Sequence, residues 1–228
     1  MRNCLLLTSL LVTLTPALAE RPVIVALGDS ITLGTGMKPG DTYPEQLQML
    51  LEQKLGDQAP RVVNAGVGGN TVLAGLARLD KDVLAHQPRY VLIGFGMNDS
   101  VMVAAGQPRV PVEQFREKLR ELVGRVQAAG ARTLLAPVTP VAAEYYYERH
   151  PREWYPEGLQ PVLDRYTKVI AEVAAETKSP LVDLSGLDPA AHIRTPENSG
   201  LRDGVHPNAA GYGVIAAAYA KVLAPLLE

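Results

Sequence analysis

From Pro22 onward, apolar runs of strand length alternate five times with longer segments of helical period. The strand candidates are Pro22 to Leu27, Arg61 to Asn64, Tyr90 to Phe95, Thr133 to Ala136 and Leu181 to Asp183. Runs such as Val91-Leu92-Ile93 are apolar without alternation, as strands are when helices cover both faces of a parallel sheet. Between them, Tyr43 to Leu55 carries Leu47, Leu50 and Leu51, and Thr71 to Leu84 carries Val72, Leu73, Leu76, Leu79 and Val83 on one stripe. After Pro111, Val112, Phe115, Leu119, Leu122, Val123 and Val126 recur every three or four residues, and Gly130 closes that helix. Two more helices run from Leu159 to Val173 and from about Ala209, the last with Tyr212, Ile215, Tyr219, Val222 and Leu223 inward. Because strand–helix–strand crossovers are right-handed, this order predicts an α/β chain, a three-layer α/β/α sandwich on a five-stranded parallel sheet.

The N-terminus is a separate problem. Arg2, the apolar run Leu5 to Leu14 and Ala17-Leu18-Ala19 form the three regions of a secretory signal peptide over residues 1–19, with cleavage expected before Glu20. The run has roughly half of the ~20 apolar residues a spanning helix needs, and no other stretch is expected to approach that length. Residues 20–228 then form one exported domain, periplasmic or secreted, without stable membrane insertion. Cleavage would remove Cys4, the only cysteine, and with it any thiolate nucleophile or Cys-ligated metal. Met1-Arg2-Asn3 lacks the small and apolar residues of a lipoprotein processing site before Cys4. A formal charge of −2, from 22 Lys and Arg against 24 Asp and Glu, leaves no excess for neutralising phosphates, so no nucleic-acid partner is expected.

Open α/β sheets bind ligands at the carboxyl ends of their strands. The loops there contain Gly28-Asp29-Ser30, Asn64 to Thr71 with its glycine block, Gly96-Met97-Asn98-Asp99, and Asp203-Gly204-Val205-His206-Pro207-Asn208. Acyl transfer needs a nucleophile, a base, a group orienting the base and donors for the oxyanion. Ser30 can attack and its N–H can face the developing charge. His206 can act as base, and Asp203 three residues earlier can fix its tautomer. Gly69 allows close approach of a backbone N–H, and Asn98 offers a side-chain amide. Each residue alone is an ordinary turn former or helix cap.

Those four blocks, in that order, resemble the SGNH hydrolases, also called GDSL esterases and lipases. The resemblance spans the chain after the leader. It implies a flavodoxin-like strand order 2-1-3-4-5, Ser30 as nucleophile, Asp203 and His206 completing a triad, and Ser30, Gly69 and Asn98 as the oxyanion hole. It implies ester substrates, whether small-molecule, carbohydrate or lipid, and no cofactor. The first block reads Gly-Asp-Ser-Ile where the family has Leu, a conservative exchange, and Met97 stands where a small or polar residue is common.

Met97 and Val101 suit a short apolar acyl group. The stretch from Val138 to Gly158, expected to be a structureless loop, holds Tyr145, Tyr146 and Trp154, which suit stacking on a sugar or aryl group. Short acyl esters such as acetylated carbohydrates are therefore expected, with lysophospholipids, thioesters and aryl esters as alternatives. A nucleotide-binding module is disfavoured because Thr71 replaces the third glycine of G-x-G-x-x-G and no phosphate-loop Gly-Lys-Ser/Thr occurs. No Gly-x-Ser-x-Gly elbow and no His-Glu-x-x-His is present, so no metal site is expected. His86 and His150 read as solvated surface residues, and His192, in the loop before Asp203, is not assigned to the site.

Overall fold

In the computed structural model, residues 21–227 are described, and the expected leader of residues 1–19 lies outside them. In chain order the strands are β1 (Val23–Gly28), β2 (Arg61–Gly66), β3 (Tyr90–Gly94), β4 (Met102–Ala104), β5 (Gln107–Pro108) and β6 (Arg132–Leu135). The helices are α1 (Ser30–Leu33), α2 (Tyr43–Leu55), α3 (Val72–Ala77), α4 (Leu79–Asp82), α5 (Met97–Ser100), α6 (Val112–Ala128), α7 (Ala143–Tyr146), α8 (Leu159–Glu176), α9 (Pro189–His192), α10 (Pro196–Ser199) and α11 (Ala209–Leu227). The main sheet runs β2-β1-β3-β6, with every pairing parallel. Ile24, Val25, Ala26 and Leu27 of central β1 are fully buried, which explains why that strand is apolar at every position instead of at alternate ones.

Helix layers cover both faces, with α2 packed against α11 and α6 against α3 and α8. Tyr43 and Tyr219 stack at 5.3 Å between α2 and α11, while Phe115 and Tyr166 meet edge to face at 5.1 Å between α6 and α8. Helix α2 starts where Glu45 accepts from the Thr42 N–H and hydroxyl, a capping box that stops the chain from fraying into the loop before it. Gly130, at φ 87°, follows α6 as the motif predicts.

The structure corrects several expectations. The fifth strand is a single parallel bridge, Leu135 to Leu181, held by Leu135 N–H to Pro180 O and Val182 N–H to Leu135 O. Pro180 lacks a donor on one side, and on the other Asp183 Oδ1 accepts the Ser185 N–H in a turn, so nothing extends the ladder. The expected helix over Thr71 to Leu84 is broken at Arg78 and Val83. At the first break the Arg78 guanidinium turns back to donate to Gly28 O, Ala65 O and Asn70 Oδ1. Leu50 is not inward but 37% exposed. Helix α11 is long and apolar enough to cross a membrane, contrary to the expectation that no such stretch exists beyond the leader. One face of it belongs to the core, where Tyr212, Ile215, Ala216, Tyr219 and Leu223 are buried in the fold. The antiparallel β4–β5 hairpin was not anticipated.

The stretch from Val138 to Gly158 is not structureless: it contains α7 and a 3-10 turn, Arg152–Trp154. Tyr146, Tyr147 and Tyr155 pack on one another. The Tyr146 and Tyr155 hydroxyls hydrogen bond at 2.7 Å, and the Tyr147 hydroxyl accepts the Leu159 N–H at the start of α8. Internal ring contacts thus replace a strand or long helix as the source of order in this segment.

Candidate active site

The loop that carries Ser30 is built around glycine. A Cβ on Gly28 would lie 2.1 Å from Thr32 Oγ1, and one on Gly66 would lie 2.1 Å from the Leu33 nitrogen, so β1 and β2 can release their loops this close to α1 only without side chains. Asp29 caps α1, its Oδ1 accepting the Ile31 N–H at 2.9 Å, and this sets Ser30 as the first residue of the helix. Arg78 ties the ends of β1 and β2 together beneath the same loops.

Ser30 Oγ lies 2.8 Å from His206 Nε2, and His206 Nδ1 lies 2.9 and 3.0 Å from the two oxygens of Asp203. Asp203 Oδ1 also accepts the N–H groups of Val205 and His206 at 3.1 Å, which folds the four-residue segment into a turn and brings the ring back over its own carboxylate. Arg194 forms a buried ion pair with Asp203 Oδ2 at 3.0 Å; the two side chains are 6% and 8% exposed. Burial alone would raise the Asp203 pKa, but the hydrogen bond and charge of His206, with Arg194 behind them, hold it at about 2. An ionised carboxylate in this position fixes Nδ1 as a donor and leaves Nε2 free to accept from Ser30.

Asn98 Nδ2 donates to Asp29 Oδ2 at 3.0 Å. That bond occupies one of its two amide hydrogens. Among the described residues, neither the Ser30 N–H nor the Gly69 N–H has a protein acceptor. Gly69 has φ 76°, and the loop it belongs to passes close to Ser30: a Cβ on Gly68 would be 3.9 Å from Ser30 Cβ. Beneath Asn98, Asp99 is fully buried and accepts the N–H groups of Val72 and Gly96, joining the second loop to the third. Burial raises both Asp29 and Asp99 to about 6.

Ser30, Asn98, Asp203 and His206 line a cleft of about 150 Å³, whose lining does not include Gly69. Met97, Val101, Tyr146, Arg109, Arg149 and His150 line it as well. Tyr145 and Trp154, expected beside substrate, do not line it. The Tyr145 hydroxyl donates to Glu197 while its ring lies under Arg202, and Trp154 packs on the core with its carbonyl accepting the Gly106 N–H. His150, expected on the solvated surface, is half-buried in the cleft and stacks on Tyr146 at 4.3 Å. His192 has a local task, its Nδ1 accepting the Asp188 N–H. Among the described residues no three His, Cys, Asp or Glu side chains are grouped as metal ligands.

Asp29, Arg78, Asp99 and Arg194 were missed as supporting groups. Asp29 and Asp99 lie inside the first and third blocks, where adjacency to Ser30 and Asn98 was the available signal. Arg78 and Arg194 carry no such signal, because their partners are set by the fold.

A parallel sheet flanked by helices, with a serine, a histidine and an aspartate converging at its carboxyl edge, is the arrangement of a serine-dependent acyl hydrolase. The chain belongs to the GDSL-like lipase/acylhydrolase family, which residues 26–214 match, and it is an SGNH/GDSL esterase. It is 30% identical over 218 residues to thioesterase 1/protease 1/lysophospholipase L1 of Escherichia coli (strain K12), covering 96% of this chain and 91% of that one. It is 30% identical over 169 residues to the uncharacterized lipoprotein YqeF of Bacillus subtilis (strain 168), covering 70% and 69%. Among solved structures, Axe2, an acetylxylan esterase from Geobacillus stearothermophilus, superposes with a TM-score of 0.69 at 26% identity, covering 88% of this chain and 93% of that one.

Proposed function

We propose that this esterase hydrolyses short-chain acyl esters, such as acetylated carbohydrates, through an acyl-enzyme on Ser30. The carrying observation is the unbroken relay from Ser30 Oγ to His206 Nε2 and from His206 Nδ1 to Asp203. In this reading His206 takes the Ser30 proton as Oγ attacks the ester carbonyl. The Ser30 and Gly69 N–H groups and the second amide hydrogen of Asn98 hold the oxyanion. His206 then returns the proton to the leaving alcohol, and a water deprotonated by the same ring releases the acid. Domain boundaries are assigned as a leader over residues 1–19 and the hydrolase over 20–228.

The preference for a short acyl group is supported by the cleft's size, about 150 Å³. That is below the ~300–1,000 Å³ typical of drug-sized pockets. Buried Met97 and Val101 line it, and in this reading they face the acyl group. A second reading, hydrolysis of longer acyl esters, draws on Leu33 and Val67, 44% and 40% exposed beside the glycine loop, over which a chain could extend. Export with Glu20 as the mature N-terminus completes the proposal, in keeping with a relative named as a lipoprotein. Rates on nitrophenyl esters from acetyl to long chain, run beside acetylated xylan and a lysophospholipid, test it. Activity falling steeply beyond about four acyl carbons, with deacetylation of xylan, fits a shallow acyl site. A maximum at long chains would contradict it.

A further inference from the structure

Beyond the ester carbonyl site, the geometry points to a second recognition element in the same cleft: Arg109 and Arg149 form a subsite for an anionic group, a carboxylate or a phosphoryl, carried by the ester substrate. This rests on the esterase reading above and narrows its substrate class.

The argument is one of uncompensated charge. Both arginines line the cleft that holds Ser30, Asn98 and His206, and both are exposed. Asp203, the carboxylate lining the same space, is already matched by Arg194 and engaged by His206. Among the described residues no carboxylate forms an ion pair with Arg109 or Arg149. Arg109 acts on Asp99 only from a distance, through a wall that buries Asp99 completely. Arg149 donates to the Arg202 carbonyl, and its sequence neighbour Glu148 is held by the Arg202 guanidinium through both oxygens. Arg116, Arg120, Arg125 and Arg165 each meet a glutamate or aspartate; the exposed Arg61, Arg89, Arg132 and Arg152 form no such pair among the described residues either, and what sets Arg109 and Arg149 apart is that both line the cleft beside Ser30.

His150 completes the arrangement. It lines the cleft with the arginines, stacked on Tyr146, whose hydroxyl is anchored to Tyr155. Burial lowers its pKa, and the charges of Arg109 and Arg149 lower it further, so near neutrality the ring adds a neutral hydrogen-bonding group beside two fixed cations. Guanidinium groups suit planar bidentate binding of carboxylate or phosphoryl oxygens. The β4–β5 hairpin and the segment after α7 thereby acquire a common task, since the first is followed directly by Arg109 and the second carries Arg149 and His150.

The test compares matched ester pairs. One is para-nitrophenyl butanoate against mono-para-nitrophenyl succinate, and the other is a short monoacylglycerol against its 3-phosphate. Values of kcat/KM are measured for the wild type, for Arg109→Gln/Arg149→Gln, and for Arg61→Gln, an exposed arginine at the start of β2. The double variant should lower the anionic-to-neutral ratio by about tenfold or more, the scale of losing hydrogen bonds to a charged group. Arg61→Gln should leave the ratio unchanged, and added salt should shrink it in the wild type. A change in the succinate pair alone identifies a carboxylate, a change in the phosphate pair alone a phosphoryl group, and a change in both a general anion site. Hydrolysis of the esters with the same ratio in all three proteins would overturn the subsite while leaving the esterase reading intact. Wild type inert on every ester would overturn both.

Discussion

Asn98 gives one amide hydrogen to Asp29, and that bond aims the other at the cleft. If the free hydrogen stabilises charge in the transition state, Asn98→Ala should lower kcat by about 10²- to 10³-fold with a much smaller change in KM. If Asn98 only shapes its loop, the loss should be about 1 kcal/mol of stability with near-normal kcat, so kinetics and unfolding on one preparation decide between the roles. Asp29→Asn is expected to separate activity from stability. An asparagine cannot accept from both Ile31 and Asn98, so kcat should fall, yet removing a buried carboxylate should raise the unfolding midpoint above pH 6. Arg194→Met is expected to behave differently again. It strands a buried Asp203 charge and should cost about 3–5 kcal/mol in chemical denaturation, the usual result of deleting one partner of a buried pair.

At the level of elements, Gly204 couples the turn that carries Asp203 and His206 to the cleft wall. It has φ 76°, its N–H donates to Arg194 O, and its carbonyl accepts the Ala142 N–H just before α7. A Cβ there would lie 2.6 Å from the Tyr146 nitrogen. Gly204→Ala should therefore displace Asp203 and His206 together, lowering kcat more than any exposed-glycine substitution such as Gly106→Ala, where no atom lies within 4 Å. Such couplings mark the limit of what the amino-acid sequence conveys. Strand and helix positions were readable because burial on one or two faces leaves a period, and the Ser30, Gly69, Asn98 and His206 loops were readable because strand ends share an edge. The packing of Tyr146 against Tyr155, the inward turn of Arg78 and the placement of His150 leave no period, since each depends on a partner distant in the chain or on a short local turn.

Over the whole molecule, three carboxylates set an unusual dependence of stability on pH. Asp203, depressed to about 2, contributes stability that is present above its unfolded value and lost as pH falls through the folded one. Asp29 and Asp99, raised to about 6, bind protons more tightly folded than unfolded, so stability should fall as pH rises from the ordinary 3.8 to about 6 and then level off. Urea midpoints across this range should peak near the ordinary aspartate value, and the descending limb should shrink in Asp29→Asn. All three groups serve the geometry around Ser30, and at Asp29 and Asp99 folding stability is traded for a buried, pre-organised site. The most direct test of Ser30 as the residue that forms the acyl-enzyme is covalent labelling with a serine-directed organophosphonate, followed by peptide mass spectrometry. Stoichiometric modification of Ser30 in the wild type, and none in a folded Ser30→Ala variant that no longer hydrolyses esters, is the predicted result. Labelling of a different serine, or undiminished hydrolysis by Ser30→Ala, would contradict it.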